Sequence, residues 1–587
     1  MRCNICEINC DIKEGGVGGC GMYTKIGDKI KELYPGRYLA AVDTAIESMP
    51  MVHYHPRGRF LQVCTVGCNF KCQGCVSEIL TDHMSAIEGA FQEMTPDQVI
   101  DKALSESCIG VMFCFNEPTV SYFTFKTLAQ MAKQKGLLVG CSTNGYMTQM
   151  ALEGLMAYLD FVNIGIKGMS QEAYRNCGIS NLDPIWRNLT QLFHQGVHIE
   201  ISAIFRKHGE EEIQKVAAFV ASLSKEIPFQ VMRFIPFKDA RIDMEPSVKE
   251  AEAVCEQLRH TLAYVYLFNT PGTDYLNTYC PDCGATLMER GFFGPMCSNL
   301  YGHVPQGLCN CGFQLPIQGK IHDTQTRETG YFGGYKTINA LNMIRSILGV
   351  LGETDKACVD AVMLKVIQED FIKGLYERLN RMDSYFDTMD YFAELTGHQK
   401  QGKLFREYTG SRVALIQEKI KGVVPPAVYC SLGHPLIAMF EEKMESKLIE
   451  AAGGRLTNRT IERESRPGIT ITPAQFCRMA PEIIIISDGT AWPVQDFISH
   501  CTKNGLAAPA VTGKKIFHLY PFRSSTNPDW ILGLMYLANI IHPDIFRFDL
   551  QKEADNFYQT FYHLPFTGPG LPIFPWQGKI KKKTQDA

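Results

Sequence analysis

Apolar runs of strand length alternate with helix-like stretches through the first half of the chain. Gly110 to Pro118, GVMFCFNEP, reads as a strand ending in polar residues, and a helical run follows it to about Lys135. GLLVGCSTNGY from Gly136 is the next strand, ending at Thr143, Asn144 and Gly145, and DFVNIGIKG from Asp160 ends near Lys167. IEISAIF (Ile199 to Phe205) and QVMRFIPF (Gln230 to Phe237) continue the series, with helical stretches between. Repeated strand–helix units predict an α/β fold with a parallel sheet and helices outside. Ligands collect at the carboxyl ends of such strands. Asn116, Glu117, Thr143, Asn144, Lys167 and Arg206 occupy that position.

The pattern changes after residues 318–334, which are rich in Gly, Thr and charge and read as a linker. Helical runs near Tyr335 to Leu351 and Asp370 to Leu395 precede a third, His398 to Gly422. In the third, Leu404, Tyr408, Ile416 and Ile420 recur at multiples of four and predict one apolar stripe. AVYCSL, EIIIIS and KIFHLY then alternate with helices as a second α/β unit. A length of 587 residues suggests three or so domains. The net charge of −4 argues against a nucleic-acid partner, and Lys579, Lys581, Lys582 and Lys583 form a short basic tail. No apolar run reaches the roughly 18–20 residues that cross a membrane. The start of the chain carries no signal-peptide core, so a cytoplasmic location is expected.

Cysteine usage brings in the chemistry. Of 22 cysteines, only Cys358, Cys430, Cys477 and Cys501 lie after residue 330, a distribution that favours metal binding over disulfides. Cys68, Cys72 and Cys75 stand as CxxxCxxC within VCTVGCNFKCQGCVS (Val63 to Ser77). Three such thiolates can each bind one iron of a [4Fe–4S] cluster and leave the fourth iron open. S-adenosylmethionine (SAM) takes that open iron in the radical SAM enzymes. Zinc, the alternative, favours CxxC pairs and four ligands. Cys3, Cys6, Cys10 and Cys20 make a second set, able to hold zinc or another cluster, with glycines 15, 16, 18 and 19 turning the chain back. His53 and His55 form an HxH that puts both rings on one face, as ligands, substrate contacts or structural residues.

Residues 1 to about 320 resemble the radical SAM proteins related to pyruvate formate-lyase activating enzyme, most closely the AmmeMemoRadiSam-system branch. The motifs are CNICEINC…GGCG, GCNFKCQGC, FNEP, TNGY, NIGIK and TYCPDCG with Arg290, all collinear with that branch. The resemblance implies a partial (β/α)6 barrel, a [4Fe–4S] cluster on Cys68, Cys72 and Cys75, and a one-electron donor of ferredoxin or flavodoxin type. It also implies SAM contacts from Asn116, Glu117 and the strand ends after them. Three positions depart from the family: Gly74 replaces an aromatic, Gly165 replaces the aspartate of NIDLK, and Cys64 is extra. Cys64 reads as a strand residue in preference to a thiol donor. The zinc-ribbon-like segment offers Cys280, Cys283, Cys297, Cys309 and Cys311, of which four would bind zinc or an auxiliary cluster.

Residues 335 to 562 resemble the class III periplasmic binding proteins for cobalamin and iron–siderophores. The matching motifs are ELTGH, GHPL at Gly433, AAGG at Ala451, PEIIIIS at Pro481, HPDIF at His542 and DLQKEADNFYQTFY from Asp549. This resemblance implies two α/β lobes bridged by a long helix, with cobalamin, another tetrapyrrole or a metal complex in the cleft. Trp492, Tyr520, Phe522 and Arg523 are the candidate cleft wall. The expected organisation is a Cys-rich segment over 1–50, a radical SAM core over 51–275, a ribbon over 276–317 and a linker over 318–334. A binding-protein-like domain over 335–565 and a tail over 566–587 complete it. The expected activity is radical modification of a small molecule or metallocofactor precursor held by the second half. A partner-protein activase and a non-catalytic metal or cluster carrier are the alternatives.

Overall fold

The computed structural model describes the chain except at residues 73, 83, 85–90, 176, 237–240, 295, 324–333, 370, 372–373, 462–468, 488–491, 520–526 and 567–587. Its first half is built on one eight-stranded sheet. In chain order the strands are β1 (Ala40–Ala45), β2 (Arg59–Cys64), β3 (Gly110–Phe113), β4 (Leu138–Thr143), β5 (Phe161–Ile166), β6 (His198–Phe205), β7 (Phe229–Arg233) and β8 (Val265–Phe268). They lie side by side in that order. β2 to β8 are mutually parallel, and β1 pairs antiparallel with β2. Seven parallel strands are one more than the six of a (β/α)6 barrel. The added strand is VYLF, a short run buried throughout.

The strands are buried on both faces, and the polar residues that interrupt their apolar runs are buried with the rest. The crossover helices include α1 (Pro96–Ser105), α2 (Tyr122–Gln134), α3 (Gln149–Met156), α4 (Asp183–His194), α5 (Glu210–Leu223) and α6 (Val248–Leu258). α1 starts at a capping box of Thr95 and Gln98, and α6 at one of Ser247 and Glu250. A buried polar layer ties the middle strands together. Asn163 of β5 donates to Ser202 of β6 and Gln230 of β7, and Gln230 donates to the fully buried Glu200. Glu200 also accepts the backbone N–H groups of Val52 and His53, which fixes the chain entering β2. The ribbon strands β9 (Thr278–Tyr279), β10 (Thr286–Phe292) and β11 (Ser298–His303) form a separate antiparallel sheet.

The second half departs from two α/β lobes. Among the described residues, 334 to 419 are helical: α7 (Gly334–Val350), α8 (Lys356–Gln368), a short helix at Leu375–Leu379, α9 (Met382–Thr396) and the long α10 (Gln399–Lys419). Leu341, Ile344, Ile347, Leu348 and Leu351 bury at helical spacing, with no strand alternation to build a first lobe. On α10, Ile416 is buried and Tyr408 and Ile420 pack against the core as expected, whereas Leu404 is 39% exposed and Phe405 and Thr409 join the buried stripe. The single α/β lobe carries β12 (Ala427–Ser431), β13 (Ile437–Ala438), β14 (Arg455–Leu456), β15 (Ile469–Thr470), β16 (Ile483–Ile486) and β17 (Ile516–His518). β14, β16 and β17 continue β12 in parallel, and β13 pairs antiparallel with both β12 and β15. The apolar helix α11 (Trp530–Ile541) is buried along nearly its whole length. No helix among the described residues is long and apolar enough to cross a membrane.

Candidate functional site

The predicted strand-end residues converge on the CxxxCxxC loop, each in a distinct role. Asn116, just past β3, accepts from the Thr65 backbone N–H at 3.0 Å and donates to Val66 O at 3.0 Å and Gly67 O at 3.3 Å. It therefore clamps the start of the loop. Glu117 is buried and accepts from Thr119 N, Thr143 Oγ1 at 2.7 Å and Asn144 N at 2.7 Å. Burial raises its pKa against the pull of these donors. It joins the end of β3 to the end of β4. Asn144 reaches the middle of the loop, donating to Asn69 Oδ1 at 2.7 Å. The loop is thus held by side chains from two consecutive strand ends.

Cys68 and Cys72 sit against an apolar wall of Phe70, Tyr146, Tyr174 and Ile179. Burial raises Cys68 well above the ordinary thiol range and pushes Cys75 up to about 11. Cys72 is raised first by its contact with Cys177 and then by burial, whereas the charges of Lys167 and Arg206 pull it down. Lys167 follows β5 and Arg206 follows β6, so two cations from adjacent strand ends face the same thiols. Three half-buried thiols that would be neutral alone, with cations beside them, suit an iron–sulfur centre that takes thiolates. A Cβ at Gly165 would lie 3.4 Å from Lys167 Nζ, so replacement of the family's aspartate leaves a gap beside that ammonium. Gly74 has φ +73°, a backbone that an aromatic residue adopts only with strain. Cys64 is fully buried in β2, in keeping with a strand role.

The amino-terminal cysteines pack beside this loop. Cys6 bridges to Met147 just past β4, and a Cβ at Gly67 would lie 3.1 Å from Cys20 O. Cys6 is pushed up to about 12 by burial and by the nearby Cys20, Cys3 and Cys10 thiols. The Cys3 N–H donates to Cys10 O at 2.8 Å, which holds the two ends of that cysteine run together. In the ribbon, Cys280, Cys283, Cys309 and Cys311 form a group whose sulfurs all lie within 4.8 Å of one another. Gly284 and Gly312, at φ +73° and +97°, turn the chain straight after Cys283 and Cys311. Cys297 is not among the four; it is buried and donates to Ser48 O.

His53 and His55 do not share a face. His53 is buried with Nε2 2.6 Å from Tyr266 Oη, whereas His55 lies against His322 at 3.1 Å. A left-handed backbone at His55 (φ +41°) breaks the period of two. Tyr520, Phe522 and Arg523 lie outside the described residues. Cys177, 2.6 Å from Cys72 Sγ, escaped sequence reasoning. It stands 105 positions along the chain from Cys72, in no motif.

Residues 63–220 match the Radical SAM superfamily. That stretch is a radical SAM domain. The chain therefore carries an iron–sulfur, SAM-dependent enzyme. An uncharacterized protein of Methanocaldococcus jannaschii is 29% identical over 325 residues, spanning 54% of this chain and 95% of that protein. The other similarities are structural. A periplasmic solute-binding protein from Veillonella parvula aligns at 17% identity and a TM-score of 0.29 over 32% of this chain. A molybdate periplasmic binding protein from Haemophilus influenzae aligns at 19% identity and a TM-score of 0.27 over 31%. This chain spans 60% and 57% of those two structures. Agreement at that level carries neither a ligand nor a transport role to this chain.

Proposed function

We propose that the chain reductively cleaves SAM and uses the radical to modify a small molecule or a metallocofactor or tetrapyrrole-type ligand presented by its second half. When bound on Cys68, Cys72 and Cys75, the cluster with SAM supplies a 5′-deoxyadenosyl radical that abstracts hydrogen. Glu117, Thr143, Asn144, Lys167 and Arg206 line the strand ends where SAM and substrate would lie. Asn116 acts one step back, holding the loop. The Cys280–Cys283–Cys309–Cys311 group suits zinc, as four thiolates at tetrahedral spacing do.

The observation that supports presentation by the second half is the junction between the halves. Strand-end elements of the α/β lobe meet strand-end elements of the first sheet. His434, in the loop after β12, packs so closely on Gly272, in the loop after β8, that a Cβ there would lie 2.3 Å from the imidazole. Trp492, after β16, buries against Val248 at the start of α6. Lys249 pairs with Asp496 on the helix Val494–Lys503. In parallel α/β sheets those ends are where ligands bind, so a ligand on the lobe would face the radical site.

The test is anaerobic purification with iron and sulfide counts, an optical spectrum and a dithionite-driven assay for 5′-deoxyadenosine. Cleavage by the wild type and none by Cys72→Ala is expected, with any extra chromophore naming the second half's ligand. A fully loaded cluster that never cleaves SAM would remove the radical reading and favour a metal or cluster carrier.

A further inference from the structure

We propose that Cys72 and Cys177 form a reversible disulfide in the cluster-free protein, which withholds Cys72 from iron until a dithiol reductant opens it. The two sulfurs are 2.6 Å apart. Their backbones are fastened as well, because the Lys71 N–H donates to Cys177 O at 2.9 Å. The Cys177 N–H closes its own turn on Tyr174 O at 2.8 Å. Gly178, at φ +81°, then reverses the chain beside Lys71, with its Cβ position 3.8 Å from Lys71 Cβ. Two independent attachments, one through sulfur and one through the main chain, thus hold the turn after β5 on the cluster loop.

The surroundings suit a pair and not a four-thiol metal site. Cys177 is 2% exposed and packs among Phe70, Tyr174, Ile179 and Leu182, so bulk reagents reach it poorly while Cys72 touches it directly. In the ribbon each sulfur lies near three others, whereas Cys72 and Cys177 belong to no such group among the described residues and meet as a pair. A turn that served only to pack would not require a sulfur at that contact.

The chemistry balances as an ordinary thiol oxidation. Two S–H bonds break, one S–S bond forms, and two electrons and two protons pass to dioxygen, giving hydrogen peroxide. A low-molecular-weight disulfide does the same by exchange through a mixed disulfide and leaves two thiols. The disulfide is reversible, whereas an isolated thiolate in air can proceed to sulfinic acid. Formation of the bond stands on the geometry alone. Its consequence for iron rests on the reading of Cys72 as a cluster ligand.

The experiment uses the full chain, stripped of iron with a chelator under reductant and then desalted. One portion stays anaerobic and the other meets air or oxidised glutathione. Both are denatured, alkylated and digested without reduction for mass spectrometry. The expected result is a linked Cys72–Cys177 peptide pair in the oxidised portion only, with two fewer thiols alkylated and full reversal by dithiothreitol. The oxidised wild type should then fail to take up iron and sulfide until reduced, while similarly treated Cys177→Ser takes them up directly. Alkylation of both residues after oxidation, or linkage of Cys72 to Cys68 or Cys75, would overturn the proposal. Equal iron uptake with and without reductant would overturn the withholding. None of these readings involves SAM cleavage, so loss of the radical reading and loss of the latch are separately visible.

Discussion

Asn116 shows how one side chain can matter to a cofactor it need not touch. Its amide satisfies the Thr65 N–H and the carbonyls of Val66 and Gly67, all at the entry to the cluster loop. Truncation would strand these groups, and each buried unsatisfied polar group costs about 1–3 kcal/mol. Asn116→Ala should therefore lower stability by about 2–3 kcal/mol, measured by denaturant unfolding of the cluster-free chain. It should also lower iron per chain after reconstitution. Unchanged stability with full iron would remove the clamp. The motif FNEP was legible as a strand end, but its division of labour was not. Spacing places Asn116 and Glu117 side by side; only the fold shows that one holds the loop and the other joins two strands. Cys177 was illegible for the same reason, because its meaning comes from a turn that docks across the sheet.

At the scale of elements, the strand runs with polar carboxyl ends read correctly because a buried parallel strand leaves little choice of residue. β8 was missed because VYLF is only four residues long, although Asn269 and Thr270 give it a polar end like the others. The expectation of two lobes failed because the binding-protein-like motifs cluster after Gly433, while the residues before α10 carry helical periodicity. Glycines test the sheet directly. A Cβ at Gly140 of β4 would lie 2.3 Å from the Phe161 ring of β5, whereas one at Gly165 meets nothing closer than 3.4 Å. Gly140→Ala should thus cost about 1–3 kcal/mol through overpacking, and Gly165→Ala should fall within about 0.5 kcal/mol of the wild type, as substitutions away from such features do. Equal melting temperatures for the two variants would contradict the packing described. In the ribbon, the four mutually close thiols predict one metal ion per chain apart from the cluster iron. Elemental analysis should find it in the wild type and lose it in Cys309→Ser, while Cys297→Ser retains it.

At the scale of the whole molecule, the junction makes stability depend on pH. Burial, and then the neighbouring His500, hold His434 down to about 3 from an ordinary 6.5. A histidine depressed in the fold takes its proton first in the unfolded chain, so its contribution is complete above about pH 6.5 and is lost as pH falls toward 3. Within that window each such group steepens the loss by about 1.4 kcal/mol per pH unit. His53 is depressed in the same direction, so the comparison is between slopes. His434→Gln should flatten the pH dependence by about one proton, and an unchanged slope would place His434 outside the linkage. The junction can also be opened from the other side. Gly272 has φ +81° and no room for a Cβ against His434, so Gly272→Leu must push the halves apart. If the second half presents the ligand, this variant should still form 5′-deoxyadenosine from SAM, because the cluster loop and its strand ends are untouched. Calorimetry should resolve two unfolding transitions in the variant and one coupled transition in the wild type, where Trp492 and Val248 bury each other. Retention of coupled melting at an unchanged temperature would mean that the halves do not depend on this contact. The lobe would then have to meet the radical site by some other face, and presentation across these strand ends would fail with it.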